Sequence, residues 1–358
     1  MDTNGYSVPM FQLAIPAITQ EILKLIAELD EFKGRWQAVE HLAPERLESL
    51  KKVATIESVG SSTRIEGARL TDDQVEQLLL GLETKSFKGR DEQEVAGYAD
   101  AMEMIFSSHD EISLTENHIK QLHAVLLKYS EKDDEHRGEY KKIDNHVEAF
   151  GPDGKSVGGV FQTATPFETP LMMKELVDWY QQSTAEETGH SLILISIFIV
   201  TFLAIHPFKD GNGRLSRILT TLLLLRARYD YVPYSSMEGI IEANKESYYL
   251  ALRRTQQSIR TAQQEWEPWM IYFLRTMIAQ KNNLAVKIQE EQSLRLTLPT
   301  LSREILNLVK IRGDVSVREL EEKIKANRNT IKAHLKQLTA QGYLKVLGQG
   351  RGSRYVTG

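Results

Sequence analysis

The chain has 358 residues, 41% hydrophobic and 26% charged, the balance of a globular protein of two or three domains rather than one ordinary core. It contains no cysteine, which excludes disulfides, thiolate nucleophiles and zinc sites built on sulfur, and which fits a reducing, cytoplasmic setting. The net charge of −5 conceals an asymmetry: Arg295–Gly358 carries 13 Lys and Arg against 5 Asp and Glu, a surplus of 8, leaving −13 on the rest.

In chain order, helical signals dominate. The first residues, Met1 to Leu13, lack the basic-then-apolar pattern of a signal peptide. Apolar residues at helical spacing predict helices over Ile15–Phe32 and Leu50–Ile65. Thr71 with Gln74 reads as a capping box opening a helix that Gly81 stops. Glu92–Phe106 and Thr115–Leu127 repeat the helical pattern. Residues 138–170 differ, being rich in Gly, Pro, Thr and aromatics. β-type residues at Lys141–Val147 and Val157–Gln162 flank a Gly-Pro-Asp-Gly turn at Gly151–Gly154, which predicts a β-hairpin. Helices resume over Leu171–Gln182, Ser191–Ile205, Gly213–Arg228, Asn244–Thr261 and Trp266–Lys287. The apolar run Leu192–Ile205 is too short for a bilayer, which needs about 20 residues, so it reads as a helix buried on all sides.

Gln289–Pro299 is polar and poorly periodic and reads as a domain boundary. Beyond it, helices at Leu301–Lys310, Ser316–Ile324 and Asn327–Gln341 precede a Gly-rich hairpin from Tyr343 to Val356. That is the pattern of a winged helix-turn-helix. Arg328, Lys332, His334 and Lys336 on its third helix, with Arg351 and Arg354 on the wing, suit phosphate and major-groove contacts. A protein-interaction module, or a merely solvated basic face, stands as the alternative.

The chemistry concentrates in twelve consecutive residues, His206 to Arg217. Gly211, Asn212 and Gly213 can bring backbone N–H groups to a phosphate at the start of a helix, where the dipole favours anions. Arg214 and Arg217 lie three apart, on one helical face, and can clamp separate phosphates. Asp210 is a hard oxygen ligand suited to Mg²⁺ beside phosphates, and His206 has the side chain best placed in pKa to accept a hydroxyl proton. Each residue taken alone is more often a turn or helix-end residue; their joint order is what points to a nucleotide-triphosphate site.

This segment resembles, without a gap, the signature of the Fic family, His-x-Phe-x-Asp/Glu-Gly-Asn-Gly-Arg-x-x-Arg, at all eight defined positions. The resemblance extends through the flanks from Leu13 to Lys287. It implies a mainly α fold: a Fic-type helical bundle with a β-hairpin flap, to which the small C-terminal winged helix domain is fused. The implied parts are an N-terminal helical region at 1–113, a catalytic core at 114–288 with its flap at about 138–166, and the winged module at 295–358. It also implies transfer of AMP from ATP, with Mg²⁺, to a Ser, Thr or Tyr hydroxyl of a target protein and of the enzyme itself. Under it His206 is the base, Asp210 the Mg²⁺ ligand, Gly211, Asn212 and Gly213 the phosphate cradle, and Arg214 and Arg217 the clamps. A relative that phosphorylates its target lacks the second glycine, so Gly213 favours AMP transfer.

Ser62-Thr63-Arg64-Ile65-Glu66-Gly67 fits a second pattern of such proteins, an inhibitory helix, here about 56–67, whose Glu66 pairs with Arg217. The bland alternative is a solvated Glu at a helix end. The flap at 141–165 offers a strand edge to a target protein, or is a mere connector. Asn244 and Tyr248, one helical turn apart, are candidate adenosine contacts, with core packing equally open for Tyr248. Removal of AMP using Glu66, and a DNA-binding regulator with a nucleotide-sensing core, are the rival functions. No membrane partner is expected, and self-association stays open.

Overall fold

The computed structural model describes residues 13–39, 44–81, 87, 89–145, 147–150, 156–261, 263–348 and 350–357. The chain divides into two compact units: residues up to Gln37 with Ala54–Lys281, and Ala38–Val53 with Asn282–Gly358.

The first unit is helical. Its elements are α1 (Gln20–Val39), α2 (Pro44–Ile65), α3 (Asp72–Leu80), α4 (Arg90–Ser108), α5 (Glu116–Leu126), α6 (Thr169–Ala185), α7 (Ser191–Ile205), α8 (Asn212–Arg226), α9 (Met237–Ala243), α10 (Lys245–Ser258) and α11 (Glu267–Thr297), the outer turns of α2 and of α11 passing into the second unit. Local chemistry sets the starts. Thr71 and Gln74 form the capping box of α3, and the Thr115 hydroxyl accepts from the His118 N–H at the head of α5. The apolar helix α7 is the axis of the unit, with Leu192 through Ile205 all buried. It packs against α6, α8 and α10, and α8 in turn meets α4 and α5. No helix among the described residues is long and apolar enough to cross a membrane.

The hairpin consists of β1 (Val147–Phe150) and β2 (Ser156–Phe161), antiparallel, with Val147 opposite Phe161. The first strand therefore starts where Lys141–Val147 was expected to end. Lys141 to Asn145 is tied instead to the loop before α8: the Lys141 N–H donates to the Pro207 carbonyl and the Asn145 side-chain amide to the Phe208 carbonyl. The Lys141 N–H is thereby satisfied without a strand partner. The Gly151–Gly154 turn lies outside the described residues. Other differences are that α9 precedes α10 as a separate short helix and that α11 continues through the polar stretch to Thr297.

The second unit holds α12 (Thr300–Arg312), β3 (Asp314–Ser316), α13 (Val317–Ile324), α14 (Arg328–Ala340), β4 (Leu344–Leu347) and β5 (Arg354–Thr357). The antiparallel sheet has the order β3-β5-β4, so β3, which periodicity did not reveal, adds a strand to the expected hairpin. Ile305, Val309, Leu320, Ile331, Leu335 and Leu338 close its core. A capping box of Ser316 with Glu319 opens α13, and the Asn327 side chain caps α14.

Candidate active site

Helix α7 ends at Ile205, and His206 follows in the left-handed region at φ 53°, its N–H still bonded to the Phe202 carbonyl. That conformation is costly for a residue with a β-carbon and persists only where neighbours hold it. They do so from both sides: Lys141 N–H binds the Pro207 carbonyl at 2.9 Å and Ala164 N–H the Ile205 carbonyl at 3.3 Å. The imidazole Nδ1 is buried and makes no well-formed hydrogen bond among the described residues. Burial, followed by the Lys141 ammonium, pushes the ring down to about 4, so it is neutral near pH 7.

From His206 the chain turns through Gly211 at φ 81° into the first turn of α8. Asn212 staples this turn: its Oδ1 accepts from the Phe208 N–H at 2.9 Å and its Nδ2 donates to the Phe208 carbonyl at 2.7 Å. Its side chain thus shapes the loop, leaving the backbone N–H groups of the first helical turn to face outward. His123 holds the same turn from below. Its Nδ1 accepts from the Gly138 N–H at 2.8 Å, which places the ring proton on Nε2, and Nε2 donates to the Asp210 carbonyl at 3.0 Å. The ring also stacks on Phe208, with centroids 3.8 Å apart.

Asp210 sits between cations. Lys132 Nζ lies 2.8 Å from Oδ2 and Arg214 Nη2 3.3 Å from Oδ1, while the Gly211 N–H donates to Oδ1. Burial alone would raise this carboxyl, but Arg214 and Lys132 outweigh it and hold it well below the usual carboxylate range. Among the described residues no three His, Asp or Glu side chains converge to cage a metal. A lone ionised carboxylate beside a phosphate-binding turn does fit Mg²⁺, which is commonly held by one or two carboxylates plus substrate phosphates.

Both arginines are buried, Arg214 at 1% and Arg217 at 4% exposure. Arg214 pairs through Nη2 with Asp210 and through Nη1 with Glu94, whose Oε2 is 3.3 Å away; its Nε makes no hydrogen bond among the described residues. Arg217 donates to the Ser62 hydroxyl at 2.8 Å, to the Ser62 carbonyl at 3.0 Å and to Glu66 Oε1 at 2.8 Å, with Nη1 left over. Buried guanidinium donors without acceptors are costly, and they suit a ligand rich in anionic oxygens.

Glu66 reaches this point from the C-terminal end of α2 and covers the start of α8. A β-carbon added at Gly213 would stand 2.3 Å from Glu66 Oε1, so only glycine leaves room for the carboxylate there. Burial pushes the Glu66 carboxyl up, but the Arg217 guanidinium prevails and leaves it below its ordinary 4.5. The end of α2 is anchored by Arg64, which donates to both carboxylate oxygens of Glu242 and to Asp72, and by Lys245, whose Nζ bonds the Ile65 carbonyl.

Of the sequence-derived candidates, His206, Asp210, Gly211, Asn212, Gly213, Arg214 and Arg217 converge on one turn, and Ser62 and Glu66 join them from 150 residues away. Asn244 and Tyr248 do not share an environment: Asn244 is exposed and bonds the Ile240 carbonyl, whereas Tyr248 is buried among Tyr249, Trp269 and Tyr272. Sequence reasoning missed His123, Lys132, Glu94 and Lys141. Glu94 and His123 are polar residues within helices and Lys132 and Lys141 lie between α5 and β1, and all four act on partners 64 to 120 residues downstream, which no local pattern signals.

Residues 113–224 match the Fic/DOC family profile. Over 206 residues the chain is 29% identical to Protein adenylyltransferase Fic of Drosophila willistoni, covering 57% of this chain and 38% of that protein. The chain thus spans well under half the length of the curated relatives it matches. A crystal structure of a Fic family protein from Desulfovibrio desulfuricans superposes with a TM-score of 0.61 at 23% identity, covering 96% of this chain and 98% of that one. A Fic domain containing signaling protein from Bacteroides thetaiotaomicron gives 0.55 at 25% identity, covering 72% and 94%.

Proposed function

We propose that this chain, which is built around a Fic/DOC-family domain at residues 113–224, transfers AMP from ATP to a Ser, Thr or Tyr hydroxyl of a target protein and of itself. The observation that carries this reading is the assembly of His206, Asp210, Arg214 and Arg217 around one glycine turn at the head of α8.

In this reading the acceptor hydroxyl oxygen bonds the α-phosphorus of ATP as the bond from that phosphorus to the pyrophosphate oxygen breaks. The hydroxyl proton passes to Nε2 of His206, the ring nitrogen opposite the enclosed Nδ1. The Asn212 and Gly213 backbone N–H groups, with that of Gly211 once it leaves Asp210 Oδ1, cradle the α- and β-phosphate oxygens, and the guanidinium groups of Arg214 and Arg217 clamp the polyphosphate. When bound, Mg²⁺ held by Asp210 and the phosphates would neutralise charge on the departing pyrophosphate. Catalysis is then positioning plus charge stabilisation by groups already in place. The hairpin of β1 and β2 offers its outer strand edge to an extended target segment.

Glu66 keeps this site off. Its carboxylate stands over Gly213 and on Arg217, where the γ-phosphate would go, and repels a triphosphate as long as it stays there. Incubation with Mg²⁺ and ATP labelled at the α-phosphate, read by mass spectrometry for added AMP, tests the reading. Label on the protein supports it, and label that never leaves ATP overturns it.

A second reading concerns residues 298–357, whose three helices and three-stranded sheet have the layout of a winged helix. On α14 the exposed face carries Lys332 and Lys336 with Asn329, Thr330 and Gln337, a composition suited to duplex DNA. Of the other basic residues expected there, Arg328 pairs with Glu321, Arg354 with Asp314 and Glu319, and His334 bonds Ser302. Lys332 and Lys336 are the cations on this helix face that would contact DNA.

A further inference from the structure

Lys141 is a buried cation to which the reaction above gives no role. It is 3% exposed, and its Nζ donates to Asn145 Oδ1 at 2.7 Å, Thr163 Oγ1 at 3.0 Å and the Ile205 carbonyl at 3.2 Å. All three acceptors are uncharged. Among the described residues no carboxylate forms an ion pair with it; Asp144, Glu168 and Arg260 are the charged groups that act on it from a distance. Burying an ammonium without a carboxylate is expensive, and burial pushes Lys141 down to about 8. The partial compensation is the C-terminal end of α7, whose last carbonyl, that of Ile205, points at the ammonium.

The three acceptors come from the two feet of the hairpin and from the residue before His206. The same segments are also joined through the backbone, by Lys141 to Pro207 and Ala164 to Ile205. His206, in its left-handed conformation, sits between these ties.

We propose that Lys141 is a positioning residue for AMP transfer: its ammonium locks both feet of the hairpin to the backbone that bears His206 and keeps a fixed positive charge near the imidazole. This rests on the reading of His206 as the base. A target segment paired with the hairpin would then have its hydroxyl registered on the base by a rigid link. The charge disfavours the imidazolium and so preserves the proton-accepting form. It acts with burial, and against Glu66 and Asp210, the other charged groups that face the ring.

The test uses the full-length protein and three substitutions. Lys141→Met removes the charge, Lys141→Arg keeps it, and Asn145→Asp sets a carboxylate of the same shape against the ammonium. Two quantities are read: the pH profile of the initial AMP-transfer rate, and the titration of the His206 ring by ¹⁵N NMR, its signal assigned by its loss in His206→Ala. Losing or neutralising the cation makes the imidazolium easier to form. The ring midpoint and the acid limb should therefore move to higher pH by at least about half a unit in Lys141→Met and Asn145→Asp, and stay in place in Lys141→Arg. Lys141→Met should also lower kcat by roughly tenfold or more with the KM for ATP unchanged, as a misplaced base would. If Lys141→Met does not fold, Lys141→Gln, equally uncharged and able to donate to the Ile205 carbonyl, takes its place in both readouts. A ring midpoint unmoved in the folded variants overturns the inference, whatever their rates. The ring is read without turnover, so that failure is distinct from failure of the base assignment, which would show as retained transfer in His206→Ala.

Discussion

Glu66 Oε1 lies 2.8 Å from Arg217 Nη2 and directly over the α-carbon of Gly213, so one carboxylate holds both the clamp and the head of α8. The Arg217 side chain is 5% exposed and that of Glu66 32%. Under the proposed function the pair acts as a partly open latch, its carboxylate in reach of solvent and its guanidinium buried.

Removing the latch should release the enzyme. Glu66→Gly is expected to raise auto-modification by about 10²-fold, the scale on which a misplaced phosphate suppresses transfer. Arg217→Ala should not do so, because it removes the clamp with the lock, and the double variant should resemble Arg217→Ala. The Glu66→Gly protein should also melt lower than wild type without nucleotide, since its Arg217 guanidinium keeps Ser62 but loses the Glu66 carboxylate, and should gain more from added ATP. Equal transfer by wild type and Glu66→Gly would make Glu66 a bystander. A slower removal of AMP from modified target in that variant would assign it to the reverse reaction.

The latch should weaken in acid. Glu66 has a folded pKa below its ordinary 4.5, so its contribution to stability is complete above that value and is lost as pH falls through the folded value. The gap in melting temperature between wild type and Glu66→Gln should accordingly be largest near pH 7 and shrink below pH 4.5. A gap independent of pH would mean that the carboxylate charge is not what holds Arg217.

Asp210→Asn keeps the shape that accepts the Gly211 N–H but removes the charge facing Lys132 and Arg214. Transfer should fall by at least about 10²-fold, and nucleotide binding should lose most of its dependence on Mg²⁺. A wild-type Mg²⁺ titration in this variant would remove Asp210 from the metal site.

The twelve-residue turn was legible because its parts are contiguous and each demands a distinctive residue: glycine at φ 81°, an arginine every third position, histidine at a helix end. Glu66 was legible from its place before a complete motif. His123, Lys132 and Lys141 were not, because each acts through a partner 64 to 87 residues away and none belongs to a spaced pattern. The start of β1 lies later than expected because Lys141 and Asn145 are bonded to the Pro207–Phe208 turn, a tertiary demand that local propensity does not carry. The length of α11 was missed for a related reason: its polar final turns show no apolar stripe, yet the backbone stays helical to Thr297.

If α14 meets DNA, the full chain should retard a duplex with an affinity that falls steeply as salt rises, each phosphate contact adding about one unit of slope. Lys332→Glu with Lys336→Glu should abolish the shift and leave AMP transfer untouched. Salt-independent binding, or none, would favour a protein partner for this face.

The central claim is that His206 is the base of an AMP transfer, and the most direct measurement compares wild type with His206→Ala in the Glu66→Gly background, where the latch is open. With α-labelled ATP and Mg²⁺, the rate of label incorporation should fall by about 10²–10⁴-fold. ATP binding, followed by calorimetry, should be nearly unchanged, because the imidazole is not among the groups assigned to the phosphates. A folded His206→Ala protein that binds ATP and still incorporates label at the parent rate would contradict the account.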